Sequence, residues 1–125
     1  MSKDDMPFIV LADALPVIKA LEISLQETGL MHCALAGSLI YKGFSNKDID
    51  IIIYARKEGT SFPTPELLNS CLVASGLRVA TRNSDSKHPT TILNSWTKLG
   101  QKVDLFFFDF LTPTEDELKA YESPH

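Results

Sequence analysis

Two aspartates, Asp48 and Asp50, stand at the start of a nearly continuous apolar run that ends at Tyr54. The run is rich in β-branched residues, which is typical of a central strand buried on both faces. Residues two apart on a strand point to the same face, so the two β-carbons lie about 6–7 Å apart. Like charges this close repel each other and raise one pKa unless a cation neutralises them. Oxygen ligands of this kind suit Mg²⁺ or Mn²⁺ with substrate phosphates completing the shell, so the pair predicts a divalent-metal site.

A third carboxylate, Asp104, lies in another strongly apolar run, between Val103 and Leu105. A buried strand normally carries an aliphatic residue at such a position. Taken singly, each aspartate has an ordinary interpretation: Asp48 caps a strand, Asp50 faces solvent at an edge, and Asp104 ends a hairpin. A buried carboxylate without a partner costs several kcal/mol, so three acidic residues entering two apolar strands favour a functional site.

The pair Gly37-Ser38 ends a short apolar run and precedes a predicted short helix. A strand that turns into a helix through Gly-Ser presents backbone N–H groups and a hydroxyl, which bind phosphate oxygens. The glycine allows a phosphate to approach the main chain. The alternative is an ordinary turn in which Ser38 caps the helix.

Basic side chains are candidate partners for a triphosphate or for an anionic acceptor. We expect Lys42 and Arg82 to contribute to nucleotide binding, with Lys47, Lys98 and Lys102 as further candidates. The alternative for each of them is a solvated surface charge.

The spacing of apolar residues and the glycine and proline positions predict four helices. They are a helix from about Pro7 to Glu27 that Pro16 would kink or split, a short helix over Leu39–Lys42, a helix that begins within Pro63–Glu66 with Thr64 as its cap and runs to about Ser75, and a last short helix starting at Thr114.

Five apolar runs predict strands. They are His32–Ala36, Asp48–Tyr54, Leu77–Arg82, Thr90–Thr97 and Lys102–Phe110, the last two joined by a hairpin centred on Gly100. Strands and helices in this order predict an α+β (mixed α/β) fold, in which helices pack on a central mixed sheet of about 4–5 strands.

The composition limits the classes of protein to consider. With 125 residues, 44% hydrophobic residues and 22% charged residues, we expect one globular domain over residues 1–125. The formal net charge of -4 excludes a global basic field for nucleic acid. Two cysteines in apolar surroundings, Cys33 and Cys71, predict buried free thiols. No apolar run approaches the roughly 18 residues of a membrane span, and Lys3 is followed by acidic residues, so we expect a cytoplasmic protein.

Three blocks of the sequence together resemble the signature of the DNA polymerase beta-like nucleotidyltransferase superfamily. They are Ala36–Ser38, then after nine intervening residues Asp48–Ile51, and far downstream Val103–Leu105. The family pattern is an apolar residue, Gly, Gly or Ser, a spacer of similar length, Asp-apolar-Asp-apolar, and a third acidic residue on a later strand. The chain is most similar to the minimal members, which consist of little beyond the catalytic domain.

The resemblance implies transfer of a nucleoside monophosphate from an NTP to a hydroxyl acceptor, a protein, RNA or small molecule, with release of pyrophosphate. By position, Asp48 and Asp50 would hold two Mg²⁺ or Mn²⁺ ions, and Asp104 would complete the metal site nearest the acceptor. Gly37 and Ser38 would hold the triphosphate. Some minimal members act as antitoxin-like partners of a helical protein, so a helical partner is a further expectation. The oligomeric state stays open.

Two alternatives remain at this point. Ala36 stands where a second glycine is frequent in the family, so the chain is alternatively an inactive nucleotide-binding or protein-binding module with the same fold. The other alternative is a structural α+β domain whose aspartates are coincidental.

Overall fold

The centre of the structure is one five-stranded mixed sheet. The computed structural model describes residues 9–45, 48–83 and 91–122. The strands are β2 (Met31–Ala36), β4 (Ile49–Ala55), β5 (Thr81–Arg82), β6 (Thr91–Trp96) and β7 (Lys102–Phe108), in the spatial order β2-β4-β7-β6-β5. β4 and β7 are parallel, and the other neighbours are antiparallel. The predicted α+β fold with a central mixed sheet is confirmed.

Four helices and a two-stranded ribbon complete the described structure. The helices are α1 (Leu11–Thr28), α2 (Ser38–Lys42), α3 (Pro65–Ala74) and α4 (Glu115–Lys119). The ribbon pairs β1 (Ile9–Val10) antiparallel with β3 (Phe44–Ser45), and its two strands were not predicted.

The two faces of the sheet differ in burial. Along β4, Ile49, Ile51 and Ile53 are buried, whereas Asp50 and Ile52 are only half-buried. The buried face packs against α1 and α3, whose leucines share one core cluster with it. Burying each isoleucine contributes about 1.5–3 kcal/mol to folding. The prediction that this strand is buried on both faces is therefore wrong, because the helices cover one face and the aspartates lie on the other.

Helix α1 runs through Pro16 without interruption and ends before Gly29, which has a φ of 73°. Pro16 lies in the second turn, so its missing N–H removes a single hydrogen bond, and the apolar face packed on the sheet keeps the helix continuous. The predicted start at Pro7 lies outside the described residues, but the prediction that the helix includes Ile9–Val10 is wrong, because these residues form β1 and pair with β3.

Strand β2 is fastened to α1 by one carboxylate. Glu22 accepts a hydrogen bond from the backbone N–H of Cys33 at 2.7 Å, and its other oxygen lies 2.5 Å from Nδ1 of His32. Burial by itself raises the pKa of Glu22, but these hydrogen bonds and one from Gln26 outweigh it, so the pKa of Glu22 is lowered. The hydrogen bond from Cys33 gives a partner to a backbone N–H at the outer edge of β2. It also fixes the position of the strand that leads to Gly37.

The predicted strand over Leu77–Arg82 is shorter in the structure. Only Thr81 and Arg82 form β5, and Leu77 makes an isolated bridge to Thr97. The backbone N–H of Ala80 donates a hydrogen bond to the side-chain oxygen of Asn69 in α3 at 2.7 Å. This N–H therefore bonds to a helix side chain rather than to a neighbouring strand.

The end of β7 also differs from the prediction, whereas the hairpin before it agrees. Gly100 has a φ of 84° and its N–H bonds to the carbonyl of Thr97, which closes the β6–β7 hairpin. β7 ends at Phe108 rather than Phe110, because Asp109 adopts a φ of 66° that a strand does not allow.

Three further predictions are tested by the structure. Thr64 caps α3 by accepting a hydrogen bond from the N–H of Leu67, as predicted. Cys33 and Cys71 are both buried and unpaired, as predicted. Within residues 9–45, 48–83 and 91–122, no helix is both long and apolar enough to cross a membrane.

Candidate functional site

A single polar row crosses the half-exposed face of the sheet. Asp50 is in register with Asp104 on the parallel neighbour β7 and with Ala36 on the antiparallel neighbour β2. On the far side of Asp104, the row continues through Asn94 in β6 and Thr81 in β5. Since neighbouring strands are about 4.8 Å apart, backbone pairing places the two carboxylates side by side.

Gly37 brings the end of β2 against one of these carboxylates. Its φ of 68° is a left-handed conformation that favours glycine. A Cβ at this position would overlap Oδ2 of Asp50. The absence of a side chain at residue 37 therefore lets the β2–α2 turn and the Asp50 carboxylate occupy adjacent positions.

The first turn of the chain after Gly37 is held by hydrogen bonds to Gly37 itself. The carbonyl of Gly37 accepts hydrogen bonds from the N–H groups of Ile40 and Tyr41, both at 3.1 Å. Ser38 is the first residue of α2, and its side chain lies outside the described part of the structure.

The carboxyl group of Asp50 has a raised pKa. Burial raises the pKa of Asp50 to about 6, with the negative charges of Asp104 and Asp48 adding to the effect and the positive charge of Lys102 opposing it. Asp48 lies directly before β4 and is half-buried. The three predicted carboxylates thus form one electrostatic cluster, in which the ionised form of Asp50 is disfavoured.

Asp104 is held by two donors at the same oxygen. The side-chain amide of Asn94 donates to Oδ1 at 2.6 Å, and Nζ of Lys102 lies 3.5 Å from that oxygen. Asn94 is only 5% exposed, whereas the Lys102 side chain is 41% exposed. The sequence analysis missed Asn94. A hairpin centred on Gly100 would pair Asp104 with Trp96, whereas the observed register is centred one residue earlier and pairs it with Asn94.

The structure places Arg82 apart from Asp50. Arg82 lies in β5, separated from β4 by β6 and β7, and its guanidinium pairs with Glu115 at 2.7 Å and with Glu122 at 3.5 Å. Lys42 is exposed at the last residue of α2. Lys47 lies outside the described residues.

The donor set of the cluster fits a divalent cation. Three carboxylates supply hard oxygen ligands, and a cation would neutralise the negative charges of Asp104 and Asp48, which add to burial in raising the pKa of Asp50. Among the described residues, no group of three His, Cys, Asp or Glu side chains is already arranged to hold a metal ion. Mg²⁺ requires only one or two carboxylates when waters and phosphates complete its shell, so Asp50 and Asp104 are sufficient protein ligands.

A separate apolar groove of about 470 Å³ lies between α1 and the sheet edge at β2. Its lining includes Leu15, Ile23 and Leu35, together with Ile40 from α2. None of the three aspartates lines it, so the groove is distinct from the carboxylate cluster.

Comparison of the chain with protein-family models and with curated proteins finds no match.

Proposed function

We propose that the protein is a divalent-metal-dependent nucleotidyltransferase, which transfers a nucleoside monophosphate from an NTP to a hydroxyl acceptor and releases pyrophosphate. The observation that carries the proposal is the in-register pair Asp50 and Asp104 beside the glycine turn at residue 37. The sequence resemblance to the DNA polymerase beta-like superfamily supports the same function on the same residues.

The carboxylates are the proposed metal ligands. Asp48 directly precedes β4 and acts electrostatically on Asp50, and Asp104 is in register with Asp50 on β7. When bound, two Mg²⁺ or Mn²⁺ ions would supply charge stabilisation for the attacking and leaving oxygens of an in-line displacement. Burial of Asp50 and the negative charges of Asp104 and Asp48 both disfavour its ionised form, and a bound cation would offset both effects.

The remaining residues are assigned to substrate positioning. The backbone at Gly37 and the following residue Ser38 would contact the triphosphate, with Lys42 at the end of α2 as an exposed cation for its tail. The acceptor oxygen forms a bond to the α-phosphorus, and the bond between that phosphorus and the pyrophosphate oxygen breaks. We assign to Asp104 the acceptance of the acceptor's proton, because it is the carboxylate predicted to lie nearest the acceptor.

An inactive nucleotide-binding module is the second candidate. The observation that favours it is that Oδ1 of Asp104 already contacts Asn94 and Lys102, so part of the third carboxylate is engaged by the protein itself. This candidate shares nucleotide and cation binding with the first and differs from it only in turnover.

A transfer assay with each α-³²P-labelled NTP and Mn²⁺ separates the two candidates. Candidate protein, RNA and small-molecule acceptors are added in turn, and label retained on the acceptor is measured. We expect transfer by the native protein and at least a hundredfold loss in Asp50→Asn. Glu58→Gln is the matched control, since Glu58 is an exposed carboxylate in the turn after β4. Transfer that persists in Asp50→Asn contradicts the proposal, and binding of Mn²⁺ and NTP without transfer to any acceptor favours the inactive module.

A further inference from the structure

Asn94 is a buried polar residue at the point where the polar row of the sheet crosses β6. It lies in β6 between Leu93, which is fully buried, and Ser95, and its own side chain is 5% exposed. Burying an amide is unfavourable unless it is hydrogen-bonded, and asparagine is also disfavoured in strands. Asparagine is therefore unfavourable at this buried strand position unless its side chain has a specific hydrogen-bond partner.

That partner is a carboxylate of the proposed site. The amide of Asn94 donates to Oδ1 of Asp104 at 2.6 Å, a short bond strengthened by the negative charge of the acceptor. The two residues are opposite each other in the β6–β7 ladder, and Thr81 is opposite Asn94 on the other side. With neighbours on both sides and little exposure, Asn94 has few rotamers available, and its hydrogen bond restricts the rotamer of Asp104 as well.

We propose that Asn94 is a positioning residue, which fixes the Asp104 carboxylate in the orientation that binds the divalent cation together with Asp50. This proposal rests on the proposed function, because it assumes that Asp104 is a metal ligand. The amide carries no charge, so it orients the carboxylate without competing electrostatically with a cation. Groups that hydrogen-bond to metal ligands commonly change metal affinity by about 10- to 100-fold when they are removed.

Lys102 contacts the same oxygen of Asp104 as Asn94 does, but it carries a positive charge. Its ammonium group lies 3.5 Å from Oδ1 of Asp104, and the side chain is 41% exposed. A positive charge at this distance opposes the approach of a divalent cation, whereas the neutral amide of Asn94 does not. Removing each residue is therefore expected to change cation affinity in opposite directions.

The test is titration of the 125-residue chain with Mn²⁺ alone, in which free Mn²⁺ is measured by electron paramagnetic resonance. We expect Asn94→Leu to weaken Mn²⁺ binding about tenfold and Lys102→Met to strengthen it a few-fold. In an Asp104→Asn background, Asn94→Leu is expected to change the affinity less than twofold, because its effect acts through Asp104. Asn94→Ala, which removes the same donor and leaves more room, serves if the leucine variant does not fold.

Each result has a distinct meaning. Asn94 variants that fold and bind Mn²⁺ like the native protein overturn the positioning role while leaving the proposed function intact. An equal loss of affinity with and without Asp104, or a Lys102→Met variant as weak as Asn94→Leu, also overturns it. A native protein that binds no Mn²⁺ overturns the proposed function and this proposal together.

Discussion

Asp50 and Asp104 lie opposite each other on the parallel strands β4 and β7. Their separation is set by the backbone pairing of two central strands rather than by loops, so the carboxylates are held close even without a cation. The third strand of the arrangement, β2, ends at Ala36 in the same row and turns at Gly37 against Asp50. The cluster is therefore an unfavourable electrostatic arrangement that the surrounding fold maintains.

Replacing Asp50 should stabilise the metal-free protein. Because burial and the neighbouring carboxylates raise the pKa of Asp50 to about 6, its ionised form is less favourable in the folded than in the unfolded chain at neutral pH. Asp50 is only half-buried, so solvent screening reduces the effect, and we expect Asp50→Asn to add about 1 kcal/mol to the free energy of unfolding. Urea unfolding at pH 7.5 with a chelator measures it. A loss of stability would indicate that the carboxylate is a structural ligand of the fold.

The same carboxyl group should make stability pH-dependent. Between pH values of about 4 and 6, the folded chain holds the Asp50 proton while the unfolded chain has released it. The free energy of unfolding contributed by this group therefore falls as the pH rises through that window. Subtracting the stability curve of Asp50→Asn from that of the native protein isolates the contribution. A difference that does not change across the window contradicts the raised pKa.

A side chain at Gly37 should disrupt the cluster specifically. Gly37→Ala introduces a Cβ that overlaps Oδ2 of Asp50, in addition to the strain of a left-handed conformation. Gly59→Ala is the matched control, because Gly59 has a φ of 82° and an added Cβ would contact no atom within 4 Å. We expect the control to lose about 1–2 kcal/mol of stability from strain alone. Gly37→Ala should lose more and should also weaken Mn²⁺ binding, whereas equal effects on stability and binding in the two variants would argue against the close approach to Asp50.

Removing the charge of Arg82 should not change nucleotide affinity. The guanidinium is paired with Glu115 and Glu122, and β5 lies at the opposite edge of the sheet from β2, with β6 between β5 and the strand that carries Asp104. We expect Arg82→Gln to lower the unfolding temperature slightly and to leave the thermal shift produced by Mg²⁺ and ATP unchanged. A reduced shift would mean that Arg82 leaves its glutamate partners to bind nucleotide.

The parts of the site that depend on local sequence were predictable. The acidic pair of β4, the glycine of the β2–α2 turn and the hairpin at Gly100 each follow from residue types at fixed spacing. These features involve residues near one another along the chain. The parallel partner of β4 is different, because the register of Asp50 with Asp104 is a long-range pairing that only the fold determines.

The features that were not predicted depend on tertiary packing. An apolar strand does not reveal which face the helices cover, so the half-exposed face of β4 could not be foreseen from its β-branched run. The partners of Arg82 come from α4 and the segment after it, whose docking no local pattern specifies. Asn94 can be linked to Asp104 only when the register of the β6–β7 hairpin is known.

The most direct test of the account is a crystal structure of the protein with Mn²⁺ and a non-hydrolysable NTP, with the metal located by its anomalous scattering. The account predicts Mn²⁺ bound between Asp50 and Asp104, with Asp48 at the same cluster and the triphosphate beside the Gly37 turn. Nucleotide bound elsewhere on the protein, or a carboxylate row that holds no Mn²⁺ at saturating concentration, would contradict it.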